Sequence, residues 1–176
     1  MHRAVFLDRD GVINVKAPEG QYITRWEEFH FLPGVADAIA RLNEARFSVI
    51  VVSNQRGVAK GCMTIAALEE IHRRMIEQLA ASNVRIDAIY YCPHGADARC
   101  TCRKPAPGML LQAAEDHRLD LRNSWIVGDS DSDILAGKNA GCRTVRIVRH
   151  DATPEVLSDL TFRSVTDAVT AIIKAA

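Results

Sequence analysis

The chain has 176 residues, 48% of them apolar and 25% charged, with 22 basic and 22 acidic side chains that cancel to a formal net charge of zero. This composition fits one globular domain over 1–176 with its own core, and the even charge balance excludes a general attraction to nucleic acid or to an acidic membrane surface. No apolar run is long enough to span a bilayer, so no membrane contact is expected, and "MHRAVFLDRD" turns acidic too soon for a secretory signal, so the cytoplasm is the expected compartment and a monomer the expected state.

Along the chain, short apolar runs alternate with helical patterns. "AVFL" (Ala4 to Leu7) ends against an aspartate. "PGVADAIARLNEAR" (Pro33 to Arg46) places Val35, Ile39 and Leu42 on one helix face. "FSVIVVSNQ" (Phe47 to Gln55) is rich in β-branched residues and reads as a strand. "TIAALEEIHRRMIEQLAAS" (Thr64 to Ser82) opens on a capping threonine, and Ile65, Leu68, Ile71, Met75, Ile76 and Leu79 recur at helical spacing. "DAIYY" (Asp87 to Tyr91) is a further strand. Pro107 suits the first turn of a helix running to His117. "SWIVGD" (Ser124 to Asp129), a short helix from Asp131 to its stop at Gly141, the strand "RTVRIV" (Arg143 to Val148) and a helix from Ser164 to Ala175 complete the pattern.

Strand runs that are continuous rather than alternating in polarity are expected to be buried on both faces. Alternation of strand and helix then predicts an α/β fold: a Rossmann-like parallel sheet with helices on both faces. The stretch from Asn14 to Pro33 has room for a flap but not for a cap domain, so the fold should be capless. Lys16 and Tyr22 are candidate flap contacts.

In such a sheet, ligands bind beyond the carboxyl ends of the strands. The residues expected there are Asp8 and Asp10, then Ser53 with Asn54, then Asp129, with Lys104 entering from the loop before a helix. Taken singly, each has a plain structural explanation: a polar turn, a helix cap, a solvated charge. Together they suggest chemistry. Converging carboxylates attract a hard cation, and magnesium commonly uses few protein carboxylates plus a substrate phosphate. Asp8 and Asp129 could bind through their side chains and Asp10 through its backbone carbonyl. Lys104 and Ser53 would hold phosphoryl oxygens while an ionised Asp8 attacks phosphorus. Asp10, given a pKa raised by its surroundings, could supply the leaving group's proton. A calcium loop at Asp129 to Asp133 is excluded, because Ile134 stands where its glycine belongs and Ala140 where its glutamate belongs.

Five cysteines are present, an odd number in a chain expected to be cytoplasmic, which argues against a disulfide framework. In "YYCPHGADARCTCRKP", Cys92, His94, Cys100 and Cys102 offer three thiolates and an imidazole, a set suited to tetrahedral zinc. Four protein ligands leave no open position, so the zinc would be structural, holding the loop that leads into Arg103 and Lys104. Cys62 and Cys142 read as small core fillers. His30, His72, His117 and His150 read as ordinary polar residues.

"FLDRDGVIN", "VIVVSNQ", "CRKPAPGM" and "IVGDSDSDI" resemble, in order, the four motifs of the haloacid dehalogenase-like phosphatase superfamily. The resemblance implies Asp8 as nucleophile, Asp10 as general acid/base, Ser53 and Lys104 as phosphoryl-stabilising residues, Asp129 as an acidic magnesium ligand and Asp133 as the second acid of the last motif. The zinc loop narrows the resemblance to the branch acting on heptose bisphosphates, with histidinol-phosphate phosphatases as near relatives. By that likeness the partner is a small-molecule sugar phosphate, touched by Ser53, Asn54, Gln55, Arg56, Arg103 and Lys104. Two departures stand out: Val12 replaces a common threonine, and the segment from His94 to Cys100 is short. A histidinol-phosphate phosphatase and a catalytically silent zinc-stabilised binding protein remain as alternatives.

Overall fold

The computed structural model describes residues 2–148 and 155–175; His150 lies outside the described residues. Six strands form one parallel sheet: β1 (Ala4–Leu7), β2 (Ser48–Asn54), β3 (Ala88–Cys92), β4 (Trp125–Gly128), β5 (Arg143–Ile147) and β6 (Leu160–Phe162). Their order is β3-β2-β1-β4-β5-β6. The chain therefore winds outward from β1 in one direction and then in the other, so the switch falls between β1 and β4, where open α/β sheets bind ligands. Val5 pairs with Val49 on one side and with Trp125 on the other, so β1 is covered on both edges.

The helices are α1 (Val35–Glu44), α2 (Arg56–Ala59), α3 (Ile65–Ala80), α4 (Gly108–His117), α5 (Asp131–Ala140) and α6 (Val165–Lys174). Successive strand side chains point to opposite faces. Val5, Leu7, Val49 and Val51 accordingly pack with α1, α3 and α6, whereas Ala4, Phe6, Ile50 and Val52 pack with α4 and α5. This two-sided burial explains the continuous apolar runs. Each fully buried Leu, Ile or Phe contributes about 1.5–3 kcal/mol relative to exposure.

Several local expectations need correction. Ile65 and Ile76 fall off the buried stripe of α3 and remain exposed; Leu68, Ile71, Met75 and Leu79 carry the packing, and His72 is buried with them. A stripe of helical period has finite width, and those two positions lie at its margins. Cys62 is exposed rather than a core filler, while Cys142 is buried. Pro107 takes the N-cap position, one residue before the helix proper. Thr64 caps α3 as expected, accepting a hydrogen bond from Ala67 N at 3.1 Å. The strand β6 and the single turn α2 are additions to the elements expected above. Between β1 and α1 the only regular segment is the 3-10 turn Trp26–Glu28, so among the described residues this connection is no larger than a flap. No helix among the described residues is long and apolar enough to cross a membrane.

Candidate active site

Asp8 follows β1 directly. Its N–H donates to Val127 O at 2.9 Å, which extends the β1–β4 ladder by one residue and pins the strand tip beside Asp129. The chain then turns sharply, with Arg9 O accepting from Ile13 N at 2.8 Å and Asn14 N at 3.1 Å. Two glycines make room for the acids. Gly11 has φ of 96°, and a Cβ there would lie 2.3 Å from Asp129 Oδ2. A Cβ on Gly128 would lie 2.2 Å from Asp133 Cβ, so the missing side chain is the space Asp133 occupies. Asp133 is in turn fixed by a reciprocal cap with Ser130 at the start of α5.

Asp8, Asp129 and Asp133 each present a carboxylate oxygen within 4.8 Å of the others. Lys104 sits among them: its ammonium lies 2.7 Å from Asp8 Oδ1 and 2.5 Å from Asp133 Oδ1, and it donates to Val52 O at 2.8 Å. The ammonium thus donates hydrogen bonds to Asp8 and Val52 and is held to Asp133 as an ion pair. Burial first, and then Asp133 and Asp129, push the Asp8 carboxyl up to about 7 against the pull of Lys104. Burial likewise raises Asp129, opposed chiefly by Lys16. Asp133 is held below the ordinary range because Lys104 and Ser130 outweigh its burial. The Lys104 ammonium is strengthened, since Asp133 and Asp8 outweigh the cost of burying it. The donor set is hard oxygen throughout, and Asp129 Oδ1 is buried without a hydrogen-bond partner. These residues fit a divalent cation of the magnesium type.

The Asp10 carboxylate is not one of the three converging acids. It accepts from Arg9 Nη2 at 3.0 Å, Asn14 Nδ2 at 3.0 Å and Gln55 Nε2 at 2.9 Å. The expectation of a raised pKa is therefore corrected. Burial pushes it up, but the Arg9 guanidinium and the hydrogen bonds from Asn14 and Gln55 together hold it below the ordinary carboxylate value. Arg9, only 1% exposed, is steadied behind Asp10 by His72, whose Nε2 lies 3.2 Å from Arg9 Nη1. Burial, and then Arg9, lower the His72 pKa to about 3, so the ring is neutral and accepts from the guanidinium. The sequence assigns Arg9 no role, and the reading of His72 as an ordinary polar residue is corrected: it is buried and backs the arginine. The one available signal was an arginine placed between two aspartates at a buried strand end.

Ser53 is buried at the tip of β2, and its hydroxyl accepts from Gln55 Nε2 at 2.7 Å. Asn54 is engaged by the backbone of Lys104 in both directions, Nδ2 to Lys104 O and Lys104 N to Oδ1, each 3.0 Å. Arg56 is exposed at the start of α2, and Arg103 is half-buried, donating to His94 O at 3.3 Å. Lys16 reaches from the flap to Asp129 Oδ2 at 2.8 Å. A cavity of about 260 Å³ lies between flap and rim, lined by Arg9, Asp10, Lys16, Tyr22, Asn54 and Gln55 among others.

Beyond β3, the ligand atoms of Cys92, His94, Cys100 and Cys102 gather within 4.8 Å of one another. Cys92 Sγ lies 3.1 Å from Cys102 Sγ and 3.7 Å from Cys100 Sγ, and His94 Nδ1 lies 3.3 Å from Cys102 Sγ. All five cysteines are free thiols. A soft donor set this compact fits zinc. Gln55 N donates to Cys92 O at 2.8 Å, tying this loop to the tip of β2.

A family profile described as HAD-hydrolase-like matches residues 101–171. The chain is 43% identical to a D-glycero-beta-D-manno-heptose-1,7-bisphosphate 7-phosphatase of Pseudomonas aeruginosa, covering 81% of this chain and 79% of that one. It is 39% identical to a protein of the same name from Escherichia coli K12, over 97% and 94% of the two chains. A crystal structure of a D,D-heptose 1,7-bisphosphate phosphatase from B. bronchiseptica, complexed with magnesium and phosphate, superposes with a TM-score of 0.88 at 34% identity, covering 99% of each chain. With relatives this similar along nearly its whole length, the chain belongs to the haloacid dehalogenase-like hydrolase family, in its phosphoric monoester hydrolase branch.

Proposed function

We propose that the chain is a magnesium-dependent phosphatase, acting as a single cytoplasmic domain. It would remove the C7 phosphate of D-glycero-D-manno-heptose 1,7-bisphosphate and leave heptose 1-phosphate. The observation that carries the reading is the meeting of Asp8, Asp129 and Asp133 around Lys104 at the rim of the sheet. The substrate is the one named for relatives up to 43% identical.

Asp8, Asp129 and the Asp10 backbone carbonyl would hold the cation. Bound there, a divalent ion supplies charge neutralisation for the phosphate and for the crowded acids. Lys104 keeps Asp8 oriented through Oδ1, leaving Oδ2 to attack phosphorus. A bond from Asp8 to phosphorus forms as the ester oxygen departs, giving an aspartyl-phosphate. Asp10 delivers a proton to that oxygen and later takes one from the water that releases phosphate. At rest Asp10 is ionised, the state required for the second half of the cycle. The negative charge of an arriving phosphate favours its protonation for the first half. Ser53 and Lys104 hold phosphoryl oxygens, Lys104 by exchanging one of its present acceptors. Gln55, Arg56 and Arg103 face the sugar, while Asn54 sets the position of Lys104. The four-ligand zinc loop holds Arg103 beside the rim.

Steady-state turnover of both heptose 1,7-bisphosphate anomers, fructose 1,6-bisphosphate and histidinol phosphate tests the reading. A heptose bisphosphate is expected to give the highest kcat/KM. Preference for histidinol phosphate would overturn the substrate, and release of no phosphate from any of them would overturn the enzyme.

A further inference from the structure

Lys16 stands on the flap, yet its ammonium donates to Asp129 Oδ2 at 2.8 Å. That carboxylate is one of the acids argued above to hold the cation. The two partners differ sharply in exposure, 56% for the lysine side chain against 15% for the aspartate. The lysine therefore reaches in from solvent and can withdraw to it without stranding a buried charge. The other oxygen, Asp129 Oδ1, is buried without a partner. Asp129 thus has one oxygen taken by a flap lysine and one not yet used. Asp8 and Asp133 already share Lys104. Lys16 is thus a second ammonium in the acid cluster, and it comes from an exposed surface position whereas Lys104 comes from the core.

An ammonium and a divalent cation a few ångströms apart repel each other, and the repulsion is weakly screened where water is scarce. Flap residues around Lys16 are exposed: Val15, Pro18, Glu19, Gly20 and Gln21 all face solvent. Ala17 packs against the core and Val15 N donates to His30 O at 2.8 Å, so the Lys16–Asp129 pair adds a side-chain tie from a largely exposed segment to the rim.

We infer that Lys16 is a resident competitor for the metal site: it holds Asp129 and fastens the flap while the divalent cation is absent, and it is expelled from Asp129 when the cation binds. The inference rests on the magnesium reading above. It adds that cation affinity is set partly by a residue outside the ligand set, and that flap opening is linked to metal loading.

The test is direct metal binding to the full-length protein with its zinc retained. Magnesium titration by calorimetry, and manganese titration by electron paramagnetic resonance, would compare wild type with Lys16→Met and Lys16→Arg. The lysine is largely exposed, so Lys16→Met is expected to bind roughly two- to five-fold more tightly, and Lys16→Arg to stay near wild type. Amide hydrogen exchange supplies a second readout. Magnesium should speed exchange over residues 15–21 in wild type and leave it unchanged, already fast, in Lys16→Met. Equal or weaker binding by Lys16→Met, or a wild-type flap indifferent to magnesium, overturns the inference and leaves the magnesium reading standing. Wild type that binds neither ion overturns both.

Discussion

Lys104 and Asp133 form an ion pair of 2.5 Å with both side chains almost wholly out of solvent. The lysine enters from the loop after the cysteines and the aspartate from the first turn of α5, so the contact joins two segments far apart in the chain. Removing one partner of a buried pair strands the other charge. Asp133→Ala should therefore destabilise the fold by about 3 kcal/mol, read as a lowered urea midpoint. The isosteric Asp133→Asn should cost less. A wild-type midpoint for Asp133→Ala would show that Asp8 alone suffices for Lys104.

Asp8 has the opposite character. Its carboxyl is crowded by burial and by two acids, which raise its pKa to about 7. Asp8→Asn relieves that crowding, so the thermal midpoint should hold or rise. Phosphate release should fall by about a thousand-fold or more, as expected when a nucleophile is lost. Turnover that survives the substitution would remove Asp8 from the mechanism.

His72 gives the acid limb of the stability profile a specific cause. Folded, it stays neutral down to about pH 3; unfolded, it takes a proton near its ordinary value of 6.5. The unfolded state therefore binds more protons between those values, and stability is lost as pH falls through that window. Compared with His72→Gln, wild type should lose about 2 kcal/mol on going from pH 7 to pH 5. Parallel profiles for the two proteins would mean that the ring is charged in the fold.

For the cysteine loop, the expected metal content is about one zinc per chain. Cys100→Ser should lower that content and expose the remaining thiols to a titrating reagent. Chelation of wild type should reproduce both effects and loosen the loop into Lys104, seen as faster amide exchange over 93–103. A protein that purifies without zinc and with all thiols freely reactive would refute the site.

Much of this was legible in the sequence because chemistry and topology coincide. Asp8, Ser53 and Asp129 each follow an apolar run, and a parallel sheet brings such positions to one rim. The cysteine loop was equally readable, since its donors lie close in sequence. What sequence could not supply was pairing across the fold. Nothing local marks His72 as the group behind Arg9, because that contact joins the turn after β1 to α3, and nothing local shows that Arg9, although next to Asp10 in the chain, is buried against it. The depressed Asp10 pKa follows from that hidden arginine. Ile65, Ile76 and Cys62 misled for a simpler reason: an apolar side chain does not reveal whether its helix face or loop meets the core.

The two hydrogen bonds between Asn54 and the Lys104 backbone act as a fixed fastening between neighbouring motifs. They locate the ammonium from the β2 side, independently of how many residues lie between His94 and Cys100. That interval should consequently accept insertion and deletion. Relatives could lengthen or trim it to suit different sugars, and an engineer could do the same, while the reactive centre beneath stays put.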